Sequence, residues 1–396
     1  MKRAPASLIV LGLLALAGSA QAEIIRDKKQ GHFKHLGSAS HFSWAPARYQ
    51  SSFRYDIFYY IPRALKSASQ VPALMFLHGG GTSTLTRMGS KSAVHLYLDE
   101  MVHLADRLGV VVVLPSANGL NWGSHTRGLV RDLAQMIRTE LDVDSNRIGL
   151  SGHSMGGMGI TRSYLWESDE FAFFLPMSAG MDVATQSEQQ LNKVFNVPYV
   201  HLQGRADEFQ IFVERCEEQV KRTKELEAKY GVSSKLEMTF TDDDHQYDPA
   251  LFEKKAQALF KNSPRKLYQK ELWGSLETVH DRPMENKITF DLDSEARYFW
   301  IELLDSNLAV HERTDFHAKI RGNRIDIEMS VLPKQSKRLR LYLHSEMVDL
   351  SKKTDIYLNG ALVATREAKA GKLRNLDAND PGFLFEDIVE FALPAL

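Results

Sequence analysis

The chain has 396 residues, and its 49 Lys and Arg nearly balance its 50 Asp and Glu, which gives a formal net charge of −1. Because the charges are near balance and interspersed in sign, the chain lacks the basic stripe that binds phosphate backbones, and no nucleic-acid partner is expected. Its single cysteine, Cys216, excludes an intrachain disulfide and is interpreted as a bystander in a charged helical run. The length suggests about two domains of roughly 150 residues each.

The first 22 residues have the pattern of a cleaved secretory signal. Lys2 and Arg3 precede an apolar run from Leu8 to Ala17, and small residues follow at Ala20-Gln21-Ala22. The apolar run is short for a membrane span, and no cysteine follows it to accept a lipid. We expect cleavage after Ala22 to release a protein without a stable membrane anchor into the periplasm or the medium.

Strand-like and helix-like patterns alternate from residue 54 to about residue 262. This alternation predicts an α/β fold with a mostly parallel sheet covered by helices on both faces, and with its site at the carboxyl ends of the strands. Strands are predicted at 55–61, 73–78, 110–115, 147–152, 171–177, 199–204 and 235–241, and helices at 92–108, 129–141, 155–166, 209–230 and 249–261.

After Pro264 the helical periodicity fades and a β-rich, sandwich-like domain is predicted. Turn signals at Arg321-Gly322-Asn323 and Asn359-Gly360 separate short alternating runs, and the second is a strong hairpin signal. The predicted organisation is a signal at 1–22, an α/β domain at 23–263 and a β-rich accessory domain at 264–396. Examples of these alternating runs lie at 287–292, 298–304, 324–329, 338–343 and 355–358.

The most informative motif is Gly152-His153-Ser154-Met155-Gly156, which follows a strand and opens a small-residue helix. This is the pattern of a nucleophile elbow, in which two glycines permit a tight turn that exposes the serine. Ser154 is therefore the candidate nucleophile.

A serine hydroxyl needs a histidine base and a carboxylate that orients the histidine. Asp207 follows a buried-type strand and a glycine turn, and is favoured over Asp182, the rival acid after the preceding strand. His245 occupies the next strand-end loop. The chain order Ser154, Asp207, His245 is the one that this kind of fold uses.

The run Asp242-Asp243-Asp244 beside His245 raises the alternative of a metal site. Adjacent carboxylates point in divergent directions, and neither a calcium-loop pattern nor a zinc-binding H-E-x-x-H is present. We expect a solvated turn and no metal.

The glycine-rich segment His78-Gly79-Gly80-Gly81 also follows a strand. Such a loop can supply an oxyanion-hole N–H next to that of Met155, the residue after the nucleophile. Gly80 is favoured for this donor and Gly81 is next. Four more residues fall on loops near the predicted site and form either a substrate-pocket wall or ordinary packing: Trp122, His153, Phe209 and Tyr247.

Together, the elbow, the His78 to Gly81 segment, Gln203-Gly204-Arg205-Ala206-Asp207 and Asp244-His245 resemble the α/β-hydrolase superfamily over about residues 50–262. The chain is most similar to secreted esterases of the polyhydroxybutyrate depolymerase and feruloyl or acetylxylan esterase kind. This resemblance implies hydrolysis of a small or polymeric ester through an acyl-enzyme, with catalytic roles for Ser154, Asp207 and His245 and with no cofactor.

Two other functions stay open at this point. A serine peptidase of the same fold would use the same catalytic residues, and a catalytically silent protein could bind glycan or polymer through its β domain. That domain resembles β domains appended to some hydrolases, and we interpret it as a structural cap rather than a binding module. The reason is that Tyr298, Phe299 and Trp300 alternate poorly and suit a core better than a binding platform.

Overall fold

The computed structural model describes residues 39–44, 55–65, 68, 70–80, 86–119, 122, 129–141, 143–186, 188–278, 296–304, 312–334, 338–378 and 380–394. The predicted leader, Gly81 and the predicted strand at 287–292 lie outside these residues. None of the helices within them has both the length and the apolar character required to cross a lipid bilayer.

An eight-stranded sheet forms the centre of the first part of the chain, in the order β1-β2-β4-β3-β5-β6-β7-β8. β2 runs antiparallel to both of its neighbours, and the pairs from β4 through β8 are parallel. The strands are β1 (Ser40–Trp44), β2 (Tyr55–Tyr60), β3 (Val71–Leu77), β4 (Val111–Pro115), β5 (Val143–His153), β6 (Phe173–Met177), β7 (Tyr199–Gly204) and β8 (Leu236–Thr241).

Apolar residues on both faces of the sheet explain why helices cover both. In β4, Val111 and Val113 pack into one core, while Val112 and Leu114 pack into the other. The helices are α1 (Arg87–Leu108), α2 (Leu129–Glu140), α3 (Met155–Glu167), α4 (Glu188–Leu191), α5 (Gln210–Tyr230) and α6 (Pro249–Asn262), with short 3-10 turns at Arg63–Leu65, Ser168–Glu170, Val183–Thr185 and Asn192–Phe195. Helices α1 and α6 cover one face, and α2, α3 and α5 cover the other.

The predicted α/β fold is confirmed: the sheet is mostly parallel and helices cover both of its faces. The predicted strand at 199–204 coincides with β7, and all five predicted helices are present. The sequence analysis does not predict β1, which is an antiparallel edge strand next to β2.

The remaining strands form the β-rich part as two packed sheets. One has the order β16-β15-β13-β12-β9 and the other β10-β11-β14-β19, and a two-stranded pair β17-β18 lies beside them. The strands are β9 (Glu271–Thr278), β10 (Ala296–Tyr298), β11 (Ile301–Leu304), β12 (Glu312–Arg321), β13 (Arg324–Met329), β14 (Arg338–Leu343), β15 (Thr354–Leu358), β16 (Ala361–Arg366), β17 (Arg374–Asn375), β18 (Leu384–Phe385) and β19 (Asp387–Ala392).

The predicted hairpin turn at Asn359-Gly360 is confirmed between β15 and β16. Asn359 has φ 48° and Gly360 has φ 83°, the left-handed conformations that a tight two-residue hairpin turn requires. Tyr298, Phe299 and Trp300 are each at most 1% exposed, so they form core as predicted.

The β-rich part and the α/β part share one apolar core. Trp273 of β9 packs on Tyr230 of α5 with ring centroids 4.4 Å apart. The Tyr298 hydroxyl lies 2.9 Å from Ser168 Oγ and accepts a hydrogen bond from Asn196 Nδ2 at 2.9 Å. Buried contacts of this kind hold the two parts together.

A buried group of charges, which we call the seam cluster, crosses the same boundary and consists of Arg138, Glu170, Arg265 and Asp380. Arg138 is 1% exposed and pairs with Glu170, with Nη1 and Oε2 2.5 Å apart. Asp380 from the β-rich part lies 2.7 Å from Arg265 Nη2 and 3.8 Å from Arg138 Nε. Each buried arginine in the cluster therefore has an opposite charge beside it, and Asp380 supplies that charge across the boundary.

We expect the seam cluster to make the protein acid-sensitive. Burial alone would raise the pKa of Glu170, but Arg138 and Arg131 outweigh burial and lower it from 4.5 to about 2. A carboxyl with a lowered folded pKa stabilises the fold above its unfolded pKa, and this contribution is lost as the pH falls through the folded pKa. The urea concentration at the midpoint of unfolding should therefore decrease as the pH is lowered from 4.5 to 2. In Glu170→Gln this decrease should be smaller. An equal decrease in the two proteins would contradict this assignment.

Candidate active site

The nucleophile elbow lies between β5 and α3, with Ser154 at the turn. Ser154 has φ 54° and ψ −116°, a sparsely populated conformation for a residue other than glycine. A Cβ on Gly156 would lie 2.0 Å from the Leu77 carbonyl oxygen, and one on Gly152 would lie 2.5 Å from it. Only glycine fits at both positions, which lets the turn pack against β3 and present the Ser154 hydroxyl at the carboxyl edge of the sheet.

The structure brings together the three residues predicted as nucleophile, base and acid. His245 Nε2 lies 2.7 Å from Ser154 Oγ, and His245 Nδ1 lies 2.9 Å from Asp207 Oδ2. In the tautomer that satisfies both contacts, Nδ1–H donates to the carboxylate and Nε2 accepts the serine proton. This is the arrangement that makes a serine hydroxyl nucleophilic.

Asp207 is fully buried and is held in place by further donors. The backbone N–H of Phe209 donates to Oδ1 at 2.8 Å, and Gln203 Nε2 donates to Oδ2 at 2.9 Å. Because these bonds fix the carboxylate, the carboxylate fixes the orientation of the His245 ring. The rival acid, Asp182, pairs instead with Arg215, with Oδ2 and Nη2 3.5 Å apart.

Gly204 explains how the histidine loop reaches the acid. A Cβ at this position would lie 2.2 Å from the Asp244 carbonyl oxygen and 2.3 Å from that of Asp243. The loop before His245 therefore rests directly on the end of β7, and the N–H of Ala206 donates to the Asp243 oxygen at 3.0 Å. A side chain at Gly204 would push His245 away from Ser154.

His153, predicted as a pocket-wall residue, lies beneath the site and is 5% exposed. Its Nε2 donates to the carbonyl oxygen of His245 at 2.7 Å, and its Nδ1 lies 2.9 Å from the Tyr97 hydroxyl. Burial lowers the pKa of His153 to about 4, so the ring is neutral at neutral pH. The side chain supports the loop of His245 instead of facing substrate.

Trp122, the second predicted wall residue, is also internal, at 1% exposed. Its indole N–H donates to the carbonyl oxygen of His78 at 3.0 Å. His78 Nε2 accepts from the Ala117 N–H at 3.1 Å, and its Nδ1 donates to the Gly79 oxygen at 2.8 Å. Burial lowers the pKa of His78 to about 4, which keeps this ring neutral as well. Trp122 and His78 thus anchor the glycine-rich loop from behind.

The two predicted oxyanion donors that the structure describes lie at the same edge of the sheet. Gly80 follows β3, is exposed, and has φ 149°, a conformation that strongly favours glycine. Met155 is the first residue of α3, directly after the nucleophile.

The other two predicted wall residues lie beside the histidines of the site: Phe209 contacts His245, and Tyr247 contacts His153. The Phe209 ring is 48% exposed and meets the His245 ring edge to face, with centroids 4.8 Å apart. Ile211, also 48% exposed, follows it. Tyr247 is half-buried and packs on His153 and on Phe252, with centroids 5.3 and 5.6 Å away. Phe209 is therefore the predicted wall residue that faces outward beside the base.

One group of potential metal ligands among the described residues overlaps the triad. Asp207, Glu208 and His245 each offer an atom within 4.8 Å of the others. Asp207 and His245 already bond to each other, so a cation here would compete with the contact that orients the base. In the acidic run, Asp244 Oδ1 accepts from the Gln246 N–H at 2.8 Å and so closes its own turn, as predicted for this segment.

Two other features lie apart from the triad. Cys216 is fully buried, with Sγ 3.7 Å from His201 Nε2, and burial raises the pKa of its thiol, so it is a poor nucleophile. A cavity of about 200 Å³ opens near Ala172, Pro198 and Lys235, which precede β6, β7 and β8. It therefore lies at the amino ends of the strands, the edge opposite to Ser154.

No family model matches the chain, and no curated protein matches it. Among solved structures, a thermostable esterase is similar at 17% identity over 58% of this chain and 64% of its own, with a TM-score of 0.44. This chain therefore spans just under two thirds of that esterase.

Two further solved structures are similar over nearly their whole length. Poly(aspartic acid) hydrolase-1 from Sphingomonas sp. KT-1 is 13% identical over 58% of this chain and 100% of its own, with a TM-score of 0.45. A ferulic acid esterase is 16% identical over 57% of this chain and 97% of its own, with a TM-score of 0.41. Because these identities and TM-scores are low, the function of the site is inferred from the geometry of its own residues.

Proposed function

We propose that the protein is a serine esterase that hydrolyses carboxylic esters through an acyl-enzyme. The observation that carries this proposal is the continuous hydrogen-bonded path from Ser154 through His245 to the buried Asp207, at 2.7 and 2.9 Å. Such a path serves to deprotonate a hydroxyl during attack on a carbonyl carbon.

In the proposed reaction, Ser154 Oγ attacks the ester carbonyl while its proton moves to His245 Nε2. Asp207 stabilises the resulting imidazolium. The tetrahedral intermediate collapses as His245 protonates the leaving alcohol, which leaves the acyl group on Ser154. His245 then takes a proton from water as the hydroxide attacks the acyl-enzyme carbonyl. The second tetrahedral intermediate collapses as His245 returns that proton to Ser154 Oγ, which restores the hydroxyl and releases the acid product.

The negative charge on the tetrahedral intermediate needs donors that are already in place. We assign this role to the backbone N–H groups of Met155 and Gly80, with Gly81 as the next candidate. The N-terminus of α3 adds its partial positive charge beside Met155.

The substrate class and location are finer parts of the proposal. We propose an exported enzyme, on the basis of the leader pattern at residues 1–22. The resemblance to polyhydroxybutyrate depolymerases and feruloyl or acetylxylan esterases favours an ester with an apolar or aromatic group, and the exposed Phe209 fits such a group. The substrate is a small ester or an ester unit of a polymer.

The test is a panel of p-nitrophenyl esters, a feruloyl ester, polyhydroxybutyrate and an aminoacyl amide, each given to the wild type and to Ser154→Ala. The proposal expects ester turnover that depends on Ser154 and exceeds amide turnover. Faster amide turnover would instead indicate a serine peptidase of the same fold. Absence of any turnover that depends on Ser154 would favour a binding protein.

Removing the Phe209 ring should change ester selectivity. In Phe209→Ala, kcat/KM for ethyl ferulate relative to ethyl acetate should fall about tenfold, because an apolar contact of this size contributes about 1–2 kcal/mol. Ethyl esters are used because a p-nitrophenyl group is itself aromatic. Leu362→Ala, which truncates a 55% exposed apolar side chain in β16, is the control and should leave the ratio unchanged. An unchanged ratio in Phe209→Ala would remove Phe209 from the binding site.

A further inference from the structure

We propose that His153 and Tyr97 form a positioning pair that holds the loop of the base and the glycine-rich oxyanion loop in a fixed relation. This inference rests on the proposed esterase function. It gives the residue before the nucleophile a positioning role, where the sequence analysis leaves a pocket wall and ordinary packing open.

The first half of the pair acts on His245. The His153 Nε2–H donates to the main-chain carbonyl of His245 at 2.7 Å, and the two rings lie 5.2 Å apart. His153 adjoins Ser154 in the chain, so its backbone moves with the nucleophile. A bond from this side chain to the backbone of His245 therefore sets the distance between nucleophile and base.

The second half acts on the oxyanion loop. Because Nε2 of a neutral His153 carries the proton, Nδ1 must accept, and the Tyr97 hydroxyl donates to it at 2.9 Å. Gly79 packs directly against the Tyr97 hydroxyl, since a Cβ on this glycine would lie 2.5 Å from the hydroxyl oxygen. A chain of contacts thus runs from Gly79 through Tyr97 and His153 to His245, and hydrogen bonds form its last two links.

Close packing shows that this contact is built into the loop. A Cβ on Gly79 would lie 2.5 Å from the Tyr97 hydroxyl and 3.2 Å from His153 Nδ1. Only glycine allows the loop to approach this closely, and the next residue is Gly80, the proposed oxyanion donor. Tyr97 belongs to α1, which packs on the sheet through Val94, Leu98 and Met101. This packing fixes the position of the hydroxyl.

His153 and Tyr97 both stay uncharged over a wide pH range, so their hydrogen bond persists over that range. The titratable groups around His153 are Tyr97, His245, Asp207, Tyr247 and Glu100. Burial raises the pKa of Tyr97 to about 12 and lowers that of His153 to about 4, so both stay neutral between these limits. Below about pH 4 a proton on His153 Nδ1 would break its bond with Tyr97.

Three variants test the pair. His153→Leu removes both hydrogen bonds, His153→Gln keeps an N–H donor near the position of Nε2, and Tyr97→Phe removes only the hydroxyl. For a small ester we expect His153→Leu to lower kcat by about 10- to 100-fold with KM changed less than about twofold, because misplacement of a catalytic group affects the chemical step. His153→Gln should recover most of the loss, and Tyr97→Phe should fall between them.

The control is His201→Leu, which removes another fully buried histidine. The His201 ring contacts Cys216 and Tyr199. This substitution should lower the melting temperature without lowering kcat of the folded protein. The proposal is overturned if His153→Leu keeps the wild-type kcat, if His153→Gln is as impaired as His153→Leu, or if only KM changes.

The wild type is also treated with a fluorophosphonate probe, which keeps this test apart from the test of the esterase function. If Ser154 of the wild type is labelled, the serine-hydrolase assignment stands, and the relative labelling rates of the His153 variants test the pair alone. If Ser154 is not labelled, the proposed function fails first, and with it the catalytic role of the pair.

Discussion

Replacing Ser154 by alanine is expected to lower kcat for ester hydrolysis by roughly 10⁴- to 10⁶-fold, the range seen when one member of such a triad is removed. The physical reason is that His245 loses the Ser154 hydroxyl, which lies 2.7 Å from its Nε2, so no acyl-enzyme can form on residue 154. The measurement is steady-state hydrolysis of p-nitrophenyl acetate, with the melting temperature as a check of folding.

The matched control for this prediction is Ser163→Ala, which removes a buried hydroxyl from α3, the helix that directly follows Ser154. It should keep kcat within a fewfold of the wild type. Residual activity of more than about a tenth in Ser154→Ala would mean that another group performs the chemistry.

The second large effect is expected from Asp380→Asn, which should lower the free energy of unfolding by about 3–5 kcal/mol. The substitution keeps the shape of the side chain but removes the charge that lies 2.7 Å from Arg265 and 3.8 Å from Arg138. The side chains of both arginines are at most 2% exposed, so their charges cannot be solvated in compensation. Urea unfolding at pH 7 measures the change.

Glu217→Gln provides the comparison, since Glu217 and Arg205 form an ion pair of 3.2 Å in which both side chains are more than half exposed. Exposed pairs contribute little, so its cost should be below about 1 kcal/mol. If Asp380→Asn cost no more than Glu217→Gln, the β-rich part would not be held to the α/β part by the seam cluster, and a separate binding module would become the better interpretation of that part.

The meeting of Ser154, Asp207 and His245 could be predicted because each of these residues follows a local pattern. The elbow requires glycines at fixed positions, and Asp207 and His245 follow strands whose apolar runs are evident. Parallel strands place their carboxyl ends at one edge, so Asp207 and His245, which lie 53 and 91 positions after the serine, are brought to it.

The surroundings of the triad could not be predicted in the same way, because burial depends on residues distant in the chain. The loop positions of Trp122 and His153 are compatible with either a pocket wall or ordinary packing, and in the structure both side chains lie inside and support other loops. Tyr97 carries no signal in the sequence, since a tyrosine in the middle of a helix is ordinary. Its importance comes only from the approach of Gly79.

In the β-rich part, the sequence analysis does not predict β12, although the strand has a regular alternation of buried and exposed residues. Thr314, Phe316, Ala318 and Ile320 are buried, and the charged residues between them obscure the pattern. The seam cluster had no signal of this kind, because Arg138 and Asp380 lie more than 200 positions apart and meet only when the two parts pack together.

The most direct test of the triad is to react the protein with a fluorophosphonate and to determine the mass and the position of the adduct by peptide mapping. A single adduct on Ser154 is predicted, with labelling that becomes much slower in His245→Ala and in Asp207→Asn. An adduct at another residue, or labelling of Ser154 at the wild-type rate without His245, would contradict the proposed mechanism.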